Sequence, residues 1–187
     1  MADAGTKAIW HRSKESAIYP LGGDRYLIEA TLRDEVHDVV VEVEILHPSL
    51  EIVAARSEIR NGPFTNVCNL THANMERLVG MKVGRGFTLE ARKAVGGTGG
   101  CHRVSELVVE VAQAAYQLHF VRFFHEVPAE IRERADVPVQ RWRAVQAAIP
   151  GMRNTCFSYS DEREPLIEQA SPLRFRAQDM PIRQTKD

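Results

Sequence analysis

The chain has 187 residues, 24 Lys+Arg against 25 Asp+Glu, and 44% hydrophobic residues. This length suits one domain with a real core, and a formal net charge of −1 gives no electrostatic drive toward nucleic acid or an anionic membrane. The opening MADAGTKAIWHRSKES has no apolar run of the signal-peptide kind, and no stretch of about 18 apolar residues occurs, so the sequence predicts a soluble, cytoplasmic protein.

Arg25 to Arg33 alternates between apolar and polar residues and reads as a half-buried strand. Val36 to Leu46 does the same, with Val39, Val41, Val43 and Ile45 on one face and Asp38, Glu42 and Glu44 on the other. His47-Pro48-Ser49 is a turn, and Leu50 to Ile59 is the returning strand of an antiparallel meander. Asn61-Gly62-Pro63 breaks the pattern. A short helix is expected from about Thr71, whose hydroxyl would cap it, to Val79, with Gly80 as its stop. Phe87, Leu89 and Ala91 alternate with polar residues and suggest one more strand. From Cys101 to about His125, the apolar positions Val104, Leu107, Val108, Val111, Ala115 and Leu118 follow the spacing of a long amphipathic helix. Pro128 and Pro138 open two shorter helices, Pro128 to Ala135 and Pro138 to Ala148, the second carrying Trp142 as an anchor or as part of a hydrophobic pocket. The expected fold class is α+β, a small antiparallel sheet covered by helices. It comprises a single domain over residues 1–170 and a polar C-terminal tail over residues 171–187.

Three cysteines, Cys68, Cys101 and Cys156, are too few for a disulfide framework and are read as reduced thiols. Cys101 and His102 follow a run of four glycines in five positions, Gly96 to Gly100, and fall at the start of the long helix, where the dipole favours a thiolate. Gly99 and Gly100 would let a ligand approach the backbone closely, yet no Lys-Ser/Thr follows and no dinucleotide spacing is present, so no nucleotide cofactor is expected. His37-Asp38 stands at a strand start and Cys68 just before a helix. If these starts meet at one end of the sheet, His37, Cys68, Cys101 and His102 form a ligand set acceptable to zinc or iron, with Asp38 as a further ligand or proton carrier. The competing reading is a shape-determined glycine turn with the cysteines packed as small apolar residues.

His37-Asp38-Val39, Pro63-Phe64 with Cys68, Leu78-Val79-Gly80-Met81, Gly86-Phe87, Gly96-Gly97, Gly100-Cys101-His102 and Glu106-Leu107 occur in an order that resembles a bacterial family catalogued as domain of unknown function 2889. The resemblance runs from about residue 25 to residue 160 and takes in Asn154-Thr155-Cys156. That family usually has Thr-His-Leu after its glycine-cysteine pair, whereas here His102 follows Cys101 directly. More distantly, the order of His37-Asp38, Cys68 and Cys101-His102 is similar to that of NifU/IscU-type iron–sulfur scaffolds, although histidine replaces their first cysteine and their Leu-Pro-Pro-Val-Lys segment is absent.

These readings converge on an enzyme of hydrolase or lyase type acting on a small hydrophobic organic substrate. A metal or activated thiol held by His37, Cys68 and Cys101 would polarise substrate or water, while His102 and Asp38 move protons. The alternative is a non-catalytic metal or iron–sulfur carrier that delivers its cargo to a protein partner. No nucleic-acid or membrane partner is expected, and self-association into a homo-oligomer is left open.

Overall fold

A computed structural model describes residues 7–126, 138–148, 153–154 and 156–169. The chain divides into two compact units, Met1–Tyr116 and Gln117–Asp187. Strands β1 (Arg12–Gly22), β2 (Arg25–Asp34), β3 (Asp38–Leu46) and β4 (Glu51–Asn61) build the first unit as an antiparallel meander in sequence order. The fold is α+β, as the sequence predicts.

Register explains the core. Leu32, Ala30 and Ile28 on β2 lie opposite Val39, Val41 and Val43 on β3, and all six are fully buried. Ile59 on β4 extends the row from Val39, and Ile52 the row from Ile45. Because side chains alternate along a strand, the opposite face carries the charges. There Glu42 pairs with Arg56, and Glu44 with Arg25.

After β4 comes a one-turn helix, α1 (Thr65–Cys68), which runs into a 3-10 segment, Asn69–Leu78. The Asn69 side chain fastens this segment to the sheet edge: its Oδ1 accepts the Ile59 N–H and its Nδ2 donates to the Ile59 carbonyl, both at 3.1 Å. Helices α2 (Phe87–Val95) and α3 (His102–Glu126) follow. The six apolar positions predicted for the long helix, Val104 to Leu118, are all buried. In the second unit, α4 (Pro138–Ala148) is anchored by Trp142, whose Nε1 donates to the Ser158 carbonyl at 2.6 Å. A short helix, α5 (Glu164–Glu168), closes the described part and pairs with α4 through Arg143 and Glu164. Among the described residues no helix is long and apolar enough to cross a membrane.

Three local expectations change. Strand β1 was not predicted, because as an edge strand it is half-exposed on both faces and shows no clean alternation. The strand expected around Phe87 is helix α2, which buries Phe87, Ala91 and Val95 at every fourth position while Leu89 points outward. Thr71 does not cap a helix; its hydroxyl donates to the Cys68 carbonyl at 2.8 Å within an already running helical segment, competition of the kind that disfavours a regular α-helix. Gly80 does end that segment, with φ of 84°. The predicted Pro128–Ala135 helix and the tail at 171–187 lie outside the described residues.

Candidate functional site: a buried carboxylate–histidine pair

Asp34 is the last residue of β2. Two and four positions beyond the buried Leu32 and Ala30, it shares their face, and in the ladder it lies opposite Arg12. Its side chain is 2% exposed. A carboxylate this deep is costly unless its oxygens are fully engaged. Arg12 donates to Oδ2 from Nε at 3.0 Å and from Nη2 at 2.6 Å. Oδ1 accepts the backbone N–H groups of Val36 at 2.9 Å and His37 at 2.8 Å, and lies 3.0 Å from His37 Nδ1. Burial alone would raise the Asp34 pKa, but the hydrogen bonds from Val36, Arg12 and His37 outweigh it and hold the carboxyl well below the usual range.

An ionised carboxylate only accepts, so the proton of neutral His37 sits on Nδ1 and Nε2 keeps its lone pair. The ring lies near Gly62, where an added Cβ would come 4.0 Å from His37 Cδ2. The His37 side chain is 22% exposed.

The network continues to Glu106 on α3. Arg12 Nη1 lies 3.7 Å from Glu106 Oε1, and Glu106 also pairs with Lys14 and with Arg103 Nη1 at 3.0 Å. Burial raises the Glu106 pKa, and the hydrogen bonds from Lys14 and Arg103 lower it by more, leaving it below its ordinary value.

Asp38 takes no part in this network. One residue beyond His37, and directly before buried Val39, it points to the opposite sheet face, with its Oδ1 3.5 Å from Arg33 Nε and without a hydrogen bond. Asp34 is therefore the carboxylate that meets His37. Cys68 ends α1 and Cys101 precedes α3, both half-buried; Cys156, in the second unit, is exposed. Cys101 caps α3 as expected, its carbonyl accepting the Ser105 N–H at 3.0 Å, and His102 is the exposed first residue of the helix. Among the described residues no group of three or more His, Cys, Asp or Glu side chains comes together in a way that could hold a metal ion.

The glycine run serves packing. A Cβ on Gly100 would sit 2.0 Å from the Val95 carbonyl oxygen, and one on Gly96 would sit 2.6 Å from that of Arg92. Gly99 supplies its carbonyl to Asn74 Nδ2 at 2.8 Å. These close approaches let the end of α2 lie against the start of α3, whereas a Cβ on Gly97 or Gly99 would meet nothing within 4 Å.

The sequence reading passed over Asp34 and Arg12. A local signal for Asp34 exists, since an Asp that ends a strand commonly accepts backbone N–H groups two and three residues on. Arg12 has none, because its role depends on β1.

Residues 13–117 match the family described as Protein of unknown function (DUF2889). No curated protein and no solved structure matches the chain, so the likeness to NifU/IscU-type scaffolds rests on residue order alone. The match starts in β1 and ends in α3, leaving out the Asn154–Cys156 segment that motif order had included. With Asp34, His37, Cys68, Cys101 and Glu106 inside a match that spans more than half of its length, the chain belongs to the DUF2889 family.

Proposed function

We propose that this protein is an enzyme of hydrolase or lyase type that acts on a small hydrophobic organic substrate, with His37 as its general base and acid. The observation that carries the reading is the 3.0 Å contact between His37 Nδ1 and a buried, ionised Asp34. A carboxylate placed there fixes ring orientation and tautomer, leaves Nε2 to take a proton from water or substrate, and stabilises the imidazolium that forms. Cys101 at the cap of α3 is the thiol in this reading, and His102 beside it a second proton carrier. A simpler role for Asp34, holding the β2–β3 turn shut, needs only its two backbone hydrogen bonds and leaves the contact to the ring without a purpose.

The same contact has a second use, since histidines that bind metal are oriented by carboxylates in the same way. It therefore keeps the zinc, iron or iron–sulfur carrier as the rival reading. One experiment separates the two: hydrolysis of p-nitrophenyl acyl esters of increasing chain length, with metal content measured on the same untagged protein. His37→Gln is expected to lower turnover by about a hundredfold while the fold persists. Cys101→Ser would leave acid–base hydrolysis intact if water is the nucleophile and abolish it if the thiol is. Equal turnover by wild type and His37→Gln overturns the enzyme reading. Stoichiometric metal in wild type that is lost in His37→Gln replaces it with the carrier.

A further inference from the structure

We infer that Arg12 is a positioning residue for His37, acting through Asp34 and making the edge strand β1 part of the site. Arg12 places both Nε and Nη2 on Oδ2 of Asp34, at 3.0 and 2.6 Å. Engaging one oxygen twice leaves the other, Oδ1, free of the arginine and turned toward the β2–β3 connection, where it receives Val36, His37 and the His37 ring. A planar guanidinium suits this two-point hold, whereas an ammonium acts as a single point charge and leaves the carboxylate free to rotate about it. The guanidinium is itself fixed from two further sides. Its Cζ lies 4.7 Å from the centre of the Trp10 ring, and Nη1 faces Glu106 on α3, which Lys14 and Arg103 hold in turn. Arg12 and Asp34 are 22 residues apart in sequence, and the β1–β2 register brings them together.

The catalytic consequence rests on the reading of His37 as general base, but the structural claim is measured without any substrate. Long-range 15N–1H correlation of the histidine rings in the full-length protein reports which nitrogen of His37 is protonated. Wild type is expected to show the Nδ1–H form alone. Arg12→Gln should populate the Nε2–H form, Arg12→Lys should restore part of the wild-type pattern, and Arg56→Gln, which breaks the pair with Glu42 on the opposite sheet face, should leave it unchanged. If Arg12→Gln does not fold, the mixture expected in Arg12→Lys carries the test. A folded Arg12 variant in which His37 stays wholly in the Nδ1–H form overturns the inference. Retained turnover in His37→Gln would end the functional reading and leave the tautomer result standing, so the two failures are distinguishable.

Discussion

Residues 96–101 join α2 to α3 and residues 34–37 join β2 to β3, and the two connections are held by different means. The first stretch relies on missing atoms: Gly96 and Gly100 lie so close to the carbonyls of Arg92 and Val95 that any side chain would collide with them. The second relies on a full complement of hydrogen bonds, with one buried carboxylate receiving Arg12, two backbone N–H groups and an imidazole. A glycine run is conspicuous in a sequence, whereas an aspartate at a strand end is not. Chemistry is better served by the second kind of turn, because polar partners that hold the chain also orient a titratable ring. The conspicuous stretch is held by close packing at Gly96 and Gly100, and the inconspicuous one is where a titratable ring is held.

The largest expected effect breaks the polar turn. Asp34→Ala removes the buried carboxylate shared by Arg12 and two backbone N–H groups, and should cost about 3 to 5 kcal/mol, read by denaturant unfolding. The isosteric Asp34→Asn sharpens the same point through pH. The folded-state pKa of Asp34 is depressed, so its stabilisation is fully present above the unfolded value of about 3.9 and is lost as pH falls toward and through the lower folded value. Wild type should therefore be more stable than Asp34→Asn at pH 7, with the gap shrinking below about pH 4. Unfolding midpoints at a series of pH values check this, and a gap independent of pH would mean that the charge is irrelevant.

Next in size is the steric turn. Gly100→Ala brings a Cβ to 2.0 Å from the Val95 oxygen, so backbone must shift, at a cost of about 1 to 3 kcal/mol. The change should leave the His37 ring signals where they are, since the polar turn does not depend on it. If Gly100→Ala instead moved the His37 tautomer, the two turns would be one device and the comparison would fail.

The smallest effect belongs to Asp38. Its partner Arg33 is 56% exposed and sits on the other sheet face, so Asp38→Asn should change stability by less than about 1 kcal/mol and leave turnover unchanged. A loss of turnover comparable to that of His37→Gln would restore Asp38 as a proton carrier.

Where a pattern spans one element and reports burial on one side, the sequence was enough. The alternation of β2 and β3 and the spacing of Val104 to Leu118 on α3 mark the residues that pack inward, because strand and helix periods place them on one face whatever the neighbours are. Gly80 was readable as a stop, and Cys101 as the residue that opens the long helix. Partnership decided the rest. Strand β1 exists because β2 offers it an edge, and α2 because Phe87, Ala91 and Val95 find a core to enter, although a three-residue window there looks like alternation. His37 and Asp38 are adjacent in sequence, yet Asp38 turns to the opposite sheet face while His37 stays in the turn beside Asp34. Asp34 acquires its meaning only when a ladder register sets Arg12 opposite it and the turn folds His37 back onto its free oxygen. Burial preference is a property of each residue and survives in one dimension, whereas a hydrogen bond needs two residues at one place, and that placement is made by the fold.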